Sequence, residues 1–354
     1  MKRNLQLTLG LSLLIISITG QAHHSRASFF DMSQTVELEG VITRVQWRHP
    51  HVRYWIQADI EYGGEEWEME TTPPSILERM GISPDILVAG TRVRVAGPPS
   101  KLVANAMEVS HVLLPDGREV LLHTGRRPLW TENAVERNLQ GFEEEAVRAA
   151  EASADGIFRV WSRGRDDNRP QFWLDSYPLT EEASAVVEIW DPVTGINTGC
   201  AGKDMPWLMS SSWPFEFVND GESIRLLAEE FDRVRIIHLS ARSRSPLHSP
   251  LGYSVGHWEN GSLIVTTTHI SSMSFNGREI PMSREAKIRE RFSLSVDKNQ
   301  LNYEMIVTDP ATFTEPVTMN SHWIWRPGET VNLYNCIETP GSWTNVENKT
   351  LLEN

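Results

Sequence analysis

Histidines near the start of the chain are the residues best suited to bind a metal ion. His23 and His24 are adjacent. If the mature chain begins at His23, its α-amine and imidazole form a nitrogen chelate, and Cu(II) heads the affinity order of divalent ions for such ligands. The histidines that could add a further nitrogen are His49, His51, His111 and His123. The alternative is a frayed terminus whose histidines bind nothing.

The first 22 residues have the pattern of a secretory signal peptide. Lys2 and Arg3 form a basic start, an uncharged apolar run follows from Leu5 to Ile18, and Gly20-Gln21-Ala22 supplies the small residues that a signal peptidase reads. The run is too short to cross about 30 Å of hydrocarbon. The sequence therefore predicts cleavage after Ala22, a periplasmic or secreted protein, and no membrane span.

A second group of polar side chains lies at strand positions in the C-terminal half. Its candidate ligand-binding members are Glu229, Arg235, His238, Tyr253, His257 and His269. Buried polar groups need partners, and an Arg235–Glu229 ion pair would supply one. These residues either line a pocket for a ligand, within which an acid–base site is conceivable, or form ion pairs on a sheet surface. The spacing of the carboxylates does not indicate glycosidase or protease chemistry.

Gly252-Tyr253-Ser254-Val255-Gly256 matches the G-x-S-x-G pattern of serine hydrolases. In those enzymes the serine occupies a strained turn between a strand and a helix. Here Asn260-Gly261 and another apolar run follow at once, which leaves no room for the helix. The pattern therefore predicts a strand rather than a nucleophile.

Two cysteines, Cys200 and Cys336, are the full complement of the chain. In an oxidising compartment an even number favours one disulfide, and two buried free thiols are the alternative. The formal net charge of −14 repels nucleic acid and anionic lipid, so neither is an expected partner.

Residues 35–114 alternate apolar and polar side chains in short runs typical of strands. Three runs precede a short helix that begins with Ser75 as its N-cap and stops at Gly81, and two runs follow it. This is the strand order of an OB-like barrel, with a small β-sandwich as the alternative. Between the first two runs, His49 and His51 would share a face in a strand, whereas Pro50 favours a turn.

The next segment changes to helical spacing. Asn133 and Glu136 resemble a capping box, and apolar residues recur from Val135 to Ala150. We expect a linking helix over residues 132–153. The predicted organisation is a signal peptide at 1–22, an OB-like domain at 23–124, a helical linker at 125–155 and a β-domain at 156–354.

From residue 156 onward the pattern again predicts strands. Runs on both sides of Asn260-Gly261 indicate a tight hairpin, and Asp297 to Gln300 form a second turn. Eight or nine strands are expected, ending with Thr318 to Trp325 and Val331 to Tyr334. The prediction is a mainly β fold whose C-terminal domain is an antiparallel lipocalin-like barrel or curved sheet, with room for one small ligand.

Several motifs resemble a family of bacterial exported proteins of unknown function. They include His23-His24-Ser25, Trp47-Arg48-His49-Pro50-His51-Val52 and Leu114-Pro115-Asp116-Gly117-Arg118. Members of that family start His-His-Ser after the signal and carry Asn-Pro-His-Val, where this chain has His49 for Asn. The stretch Gly252–Gly261 resembles a Gly-His-Ser-Ile-Gly-Arg-Trp-Glu-Gly-Asp motif in a region often fused to that family. The resemblance implies export and a β-rich fold, and it implies no reaction.

Three functions remain open on these grounds. The first is an exported protein that binds a small apolar or aromatic ligand in the C-terminal domain, which the 13 tryptophans would help to line. The second is a periplasmic copper-binding protein that uses His23. The third is a lipocalin-like isomerase or hydrolase with its site inside the barrel. Copper is the one cofactor that the residues suggest.

Overall fold

The computed structural model describes residues 25–123, 126–132, 134–135, 142–163, 172–191, 200–240 and 246–337. The predicted signal segment, together with His23 and His24, lies outside these residues. No helix in the described ranges has the length and apolar character needed to cross a bilayer.

The N-terminal half is a β-sheet domain. A short helix, α1 (Ser25–Phe29), precedes it, and α2 (Pro74–Arg79) lies between its third and fourth strands. The strands are β1 (Val36–Gln46), β2 (Arg53–Ala58), β3 (Glu66–Glu70), β4 (Arg92–Gly97), β5 (Ala106–Glu108), β6 (His111–Leu113), β7 (Glu119–Leu121) and β8 (Ala134–Val135). The order of three strands, one helix and further strands confirms the prediction.

The sheet has the order β5-β3-β2-β1-β4-β6-β7-β8. Only Val109 and Ser110 separate β5 from β6, so one continuous segment pairs with β3 at one end and with β4 at the other. This arrangement closes the sheet in the OB-like way. Gly97 permits the closure, because a Cβ atom there would lie 1.9 Å from the carbonyl oxygen of Glu108.

The predicted helix over residues 132–153 is wrong in its first part. Ala134 and Val135 form β8, which pairs in parallel with β7, and the helix α3 covers only Glu144–Ser153. The free edge of β7 offers backbone hydrogen bonds that a helix at this point could not use. The proposed capping residues Asn133 and Glu136 lie outside the described residues.

The C-terminal half forms a closed barrel of nine strands in the order β10-β11-β12-β13-β14-β15-β16-β17-β9. Helix α4 (Glu181–Glu188) lies between β9 and β10 in the chain. The strands are β9 (Val160–Ser162), β10 (Phe215–Asn219), β11 (Ser223–Ala228), β12 (Arg233–His238), β13 (Tyr253–Glu259), β14 (Ser262–Thr268), β15 (Lys287–Leu294), β16 (Gln300–Thr308) and β17 (Val317–Trp325).

Neighbouring strands of the barrel are antiparallel except β12 and β13, which pair in parallel. The predicted hairpin is confirmed: β13 and β14 are antiparallel, and the turn residues Asn260 and Gly261 have φ values of 49° and 76°. The strand predicted at Val331 to Tyr334 is wrong, because these residues form no strand and do not pair with the barrel. The short β9 is a strand that the sequence pattern did not reveal.

Apolar side chains of alternate strand positions fill the barrel. In β16, for example, Leu301, Tyr303, Met305 and Val307 are all buried. They belong to one apolar cluster that also takes in residues of β10, β11, β14, β15 and β17. The interior of the barrel is therefore a packed apolar core. A second apolar cluster forms the core of the N-terminal domain.

Two residues of α2 form hydrogen bonds with the C-terminal half of the chain. Arg79 of α2 donates a hydrogen bond of 2.7 Å to the fully buried Glu229 of the barrel domain. Ser75 is not an N-cap, a position that Pro73 takes; its hydroxyl instead accepts a hydrogen bond from Trp213 Nε1 at 3.0 Å. The helix thus begins earlier than expected and serves the domain contact.

The C-terminal segment after the barrel continues this contact. The amides of Asn332 and Tyr334 donate to carboxylates of Glu229 and Asp232, and Cys336 is joined to Cys200 by a disulfide, as predicted. The backbone amides of this segment thus bond to side-chain carboxylates, whereas those of a strand would bond to a neighbouring strand.

Candidate metal centre

Two carboxylates lie side by side in the N-terminal domain, on β3 and β5. Glu70 and Glu108 are paired in the parallel register of these strands, and both are buried. Arg53 Nη2 donates to Glu70 Oε2 at 2.9 Å, and Arg26 of α1 donates to Glu108 Oε2. Each carboxylate is therefore paired with an arginine through its Oε2 atom, and its Oε1 atom lies away from that arginine.

His123 lies on the open side of Glu108. Its Nδ1 is 3.0 Å from the hydroxyl oxygen of Thr72, and that hydroxyl donates its own proton to the carbonyl of Leu122. Since the hydroxyl proton is already used, Thr72 accepts from His123 Nδ1–H. In the neutral ring the lone pair is consequently on Nε2.

The Nε2 atom of His123 is buried and has no hydrogen-bond partner among the described residues. It lies 3.5 Å from Glu108 Oε1. Burial, followed by the positive charges of Arg26 and Arg126, lowers the pKa of His123 to about 3, so the ring is neutral. With the tautomer that Thr72 favours, the lone pair of Nε2 lies next to a carboxylate oxygen, and none of the described residues donates a hydrogen bond to it.

Such a pair of donor atoms fits a cation. Metal bonds of about 2.0–2.2 Å to nitrogen and oxygen place the two donors roughly 3–3.5 Å apart. The Thr72 contact is also what a ligand histidine needs, since its second ring nitrogen is normally held by an acceptor that fixes the tautomer and the orientation. The geometry at His123 and Glu108 is therefore that of two neighbouring ligands.

His51 resembles His123 in its tautomer. Its Nδ1 lies 3.0 Å from the carbonyl oxygen of Thr71, which can only accept, so the lone pair of the neutral ring is on Nε2. The side chain is partly exposed and close enough to His123 to contribute to the lowering of its pKa. Thr71 and Thr72, at the end of β3, thus orient one histidine each.

The other predicted histidines have different surroundings. His49 and His51 lie in the loop between β1 and β2, so they do not share a strand face. His49 is buried and stacks on Tyr334 of the barrel domain with 3.8 Å between ring centroids. His111 has both nitrogens in contact, Nδ1 with Ser110 and Nε2 with the carbonyl of Arg127, so it serves the structure.

The cluster lies where the described chain begins. Arg26 in α1 contacts Glu108 directly, and His23 and His24 precede α1 in the sequence. Within the described ranges, no group of three or more His, Cys, Asp or Glu side chains is arranged to hold a metal ion. The sequence did not predict a role for three residues of the cluster, Glu70, Glu108 and Thr72. Glu70 belongs to a run of alternating glutamates, a pattern that is typical of a solvent-facing strand.

The barrel holds a second polar group, and its pairing differs from the prediction. Arg235 pairs with the fully buried Glu290 at 2.9 Å through Nη1. The predicted Arg235–Glu229 pair is wrong, because Glu229 lies at the domain contact with Arg79. Tyr303 donates to Glu290 at 2.8 Å. The polar groups of this network hydrogen-bond to one another inside the apolar core.

Ser254, the serine of the G-x-S-x-G pattern, belongs to this network. It lies within β13, accepts from Arg235 Nε at 3.1 Å and contacts the Thr267 hydroxyl at 2.9 Å. A strand has replaced the strand-to-helix turn that a nucleophile would need. The structure therefore agrees with the expectation that the pattern is structural.

The remaining predicted ligand-binding residues have different neighbours in the structure. His238 and Tyr253 have ring centroids 5.1 Å apart. His257 is exposed and lies 3.8 Å from Glu259. His269 lies beside His248. His238, Tyr253 and His257 lie in strands, as predicted, whereas His269 follows the last residue of β14. Alternation in the sequence could not tell which side of the barrel each side chain faces.

A small apolar cavity of about 10 Å³ lies beside the buried network, with room for about one water molecule. Its lining residues are Leu208, Met209, Ser211, Trp213, Phe215, Leu226, Ala228 and Trp323. Met209 also contacts Arg235. The indole N–H of Trp323 is buried and has no hydrogen-bond partner in the part of the chain that the structure describes.

Comparison with known proteins gives one match. Residues 12–106 match the model of a family of unknown function, DUF6152, which confirms the resemblance for this part of the chain. The matched stretch contains His49, His51 and Glu70 and ends at the first residue of β5. No curated protein and no solved structure matches the chain.

Proposed function

We propose that the protein is an exported metal-binding protein that holds Cu(II) at the N-terminal domain. The ligands are the α-amine and imidazole of His23, exposed by signal cleavage, together with His123 Nε2 and the Glu108 carboxylate. The observation that carries the proposal is the buried His123 Nε2 atom, which has no hydrogen-bond partner among the described residues and lies 3.5 Å from Glu108 Oε1.

The chemistry of the donors favours Cu(II). Three nitrogens and one carboxylate oxygen suit this ion, which binds nitrogen ligands more tightly than the other first-row divalent ions do. The Arg26–Glu108 contact brings α1 to the cluster, and His23 is three residues before Arg26 in the sequence. His51 lies beside the site as an alternative nitrogen. The proposal includes cleavage after Ala22 and a periplasmic location.

Titration of the mature protein with Cu(II) tests this proposal. We expect one tight equivalent, whose affinity falls at least about tenfold in His123→Ala, in His23→Ala, and when one Ala precedes His23 and converts its amine to an amide. His257→Ala is the control, since this exposed histidine lies in the other domain. Equal affinity in all these proteins would refute the proposed site.

A second candidate function rests on the barrel cavity. The protein would bind a small apolar or aromatic molecule with one hydrogen-bond acceptor. This acceptor would accept from the Trp323 N–H, which has no partner among the described residues. An unsatisfied buried donor costs about 1–3 kcal/mol, and a ligand acceptor would recover this. The flexible side chain of Met209 would have to move to enlarge the cavity.

Phenol is a suitable probe for this second function, because it joins an aromatic ring to one acceptor oxygen. Isothermal titration should show binding to the protein and none to Ala228→Leu, which fills the cavity. Native mass spectrometry of the periplasmic protein would reveal a retained molecule. Equal heats for the protein and the filled variant would refute a cavity site.

A further inference from the structure

His248 and His269 form a pair on the barrel domain, remote in sequence from the N-terminal cluster. Their ring centroids are 5.1 Å apart and the planes are tilted by 53°. An imidazole nitrogen binds a metal ion at about 2.0–2.1 Å, so two histidines that share an ion have centroids roughly 5–6 Å apart. The two rings therefore already stand at the separation of a shared ion.

The backbone fixes this separation. Ser249 donates from its amide to the carbonyl of His269 at 3.0 Å, and Ser271 donates to the carbonyl of Ser249 at 2.9 Å. These bonds tie Ser249, the residue after His248, to the backbone on either side of Ile270, the residue after His269. The two imidazoles are thus presented from a hydrogen-bonded frame at the end of β14, and little further ordering is needed for both to bind one ion.

The conformation of His269 is a second, independent observation. Its φ is +56°, in the left-handed region that residues with a Cβ atom rarely adopt. Strained residues of this kind persist where the surrounding structure holds them, and they cluster at binding sites. Thr268 Oγ1 contacts His269 Nδ1 at 2.9 Å, which leaves Nε2 as the ring atom available for a ligand bond.

Both rings are also accessible. The His248 side chain is exposed and His269 is half-buried, so an ion could reach them and complete its coordination with water. From this geometry we infer that His248 and His269 form a second, weaker site for a divalent transition-metal ion, Cu(II) before Zn(II). It is independent of the proposed N-terminal centre, and neither requires the other.

The test is a Cu(II) titration with stoichiometry read by native mass spectrometry. His248→Ala and His269→Asn should each weaken one equivalent at least about tenfold and leave the tight equivalent unchanged; Asn is chosen because it tolerates the left-handed conformation. His257→Ala is again the matched control. In His123→Ala the weaker equivalent should remain, which separates the two proposals.

Two results would overturn the inference. If the weaker equivalent is absent from the unmodified protein, the pair is an ordinary ring contact. If it is present but unaffected by His248→Ala and His269→Asn, the ion binds elsewhere. Circular dichroism of each variant shows that a loss of binding is not a loss of folding.

Discussion

At the level of single residues, the proposed metal centre depends on the tautomer of His123. Thr72 sets it, because its hydroxyl donates to Leu122 and is left to accept from Nδ1. Thr71, its neighbour, is also buried and donates its hydroxyl to the carbonyl of Val109 at 2.9 Å. The two threonines therefore differ in one respect: only the Thr72 side chain holds a candidate ligand.

Thr72→Val should lower Cu(II) affinity about 10–100-fold, the usual effect of losing the outer partner of a ligand histidine. Thr71→Val is the matched control, and it should leave the affinity unchanged because His51 contacts the backbone carbonyl of Thr71. Isothermal titration on both variants measures the difference. An equal loss in both would indicate that Thr72 acts through packing alone.

Among the secondary-structure elements, turns show how closely the local sequence determines the structure. Asn260-Gly261 predicted the hairpin, and both residues adopt the positive φ that the turn requires. The prediction of a helix over the whole of residues 132–153 was wrong because Ala134 and Val135 pair with the edge of β7. A local sequence pattern cannot show that such an edge is free. Element types were predictable where side chains alternate, whereas pairing depended on distant backbone.

Gly261→Ala should destabilise the protein by about 1 kcal/mol or more, since no atom lies near a Cβ at this position and the left-handed backbone alone is penalised. Asn260→Gly is the control and should be neutral within about 0.5 kcal/mol, because glycine adopts positive φ freely. Urea unfolding measures both. A neutral Gly261→Ala would mean that the turn relaxes.

The candidate site itself was only partly predictable. His23, His51 and His123 could be named as ligand types from the sequence alone, but the partners that orient two of them could not. Glu108 reaches His123 because β5 crosses beside β3 in parallel, a pairing between segments nearly forty residues apart. Likewise His49, expected near His51, is held by Tyr334 from the far end of the chain.

In the molecule as a whole, the two domains are joined by ion pairs between α2 and buried carboxylates of the C-terminal half. Arg79 of α2 donates to Glu229 of the barrel domain and also approaches Glu329 at 3.3 Å. Glu229 is fully buried and pairs with Arg79. Glu329 is nearly buried and pairs with Arg326 at 3.4 Å as well as with Arg79. The pKa of Arg79 is raised by these two carboxylates against the opposing effect of burial.

Arg79→Met should destabilise the docking of the domains by about 3 kcal/mol, because it removes the cation that pairs with the buried Glu229. Arg92→Met is the control: Arg92 also pairs with a carboxylate, Asp59, but on the exposed surface, and its loss should not be measurable. Urea unfolding followed by intrinsic fluorescence distinguishes the two. Equal stability of both variants would contradict the role given to Arg79.

The disulfide closes the longest covalent loop in the molecule. Cys200 and Cys336 are separated by 136 positions, for which the chain-entropy model gives about 4–5 kcal/mol. The double variant Cys200→Ser, Cys336→Ser should lose stability of this order in urea unfolding. Alkylation of the denatured, unreduced protein is the direct check on the bridge: two reactive thiols would show that it is not formed.

The proposed metal centre requires that His123 and Glu108 bind the same Cu(II) ion. Crystals of the mature protein, loaded with one equivalent of Cu(II) and measured at the copper absorption edge, would show where the ion lies. We expect one strong anomalous peak about 2.0–2.2 Å from His123 Nε2, within bonding distance of Glu108 and next to the nitrogens of His23. A strong peak only elsewhere, or none beside His123, would contradict it.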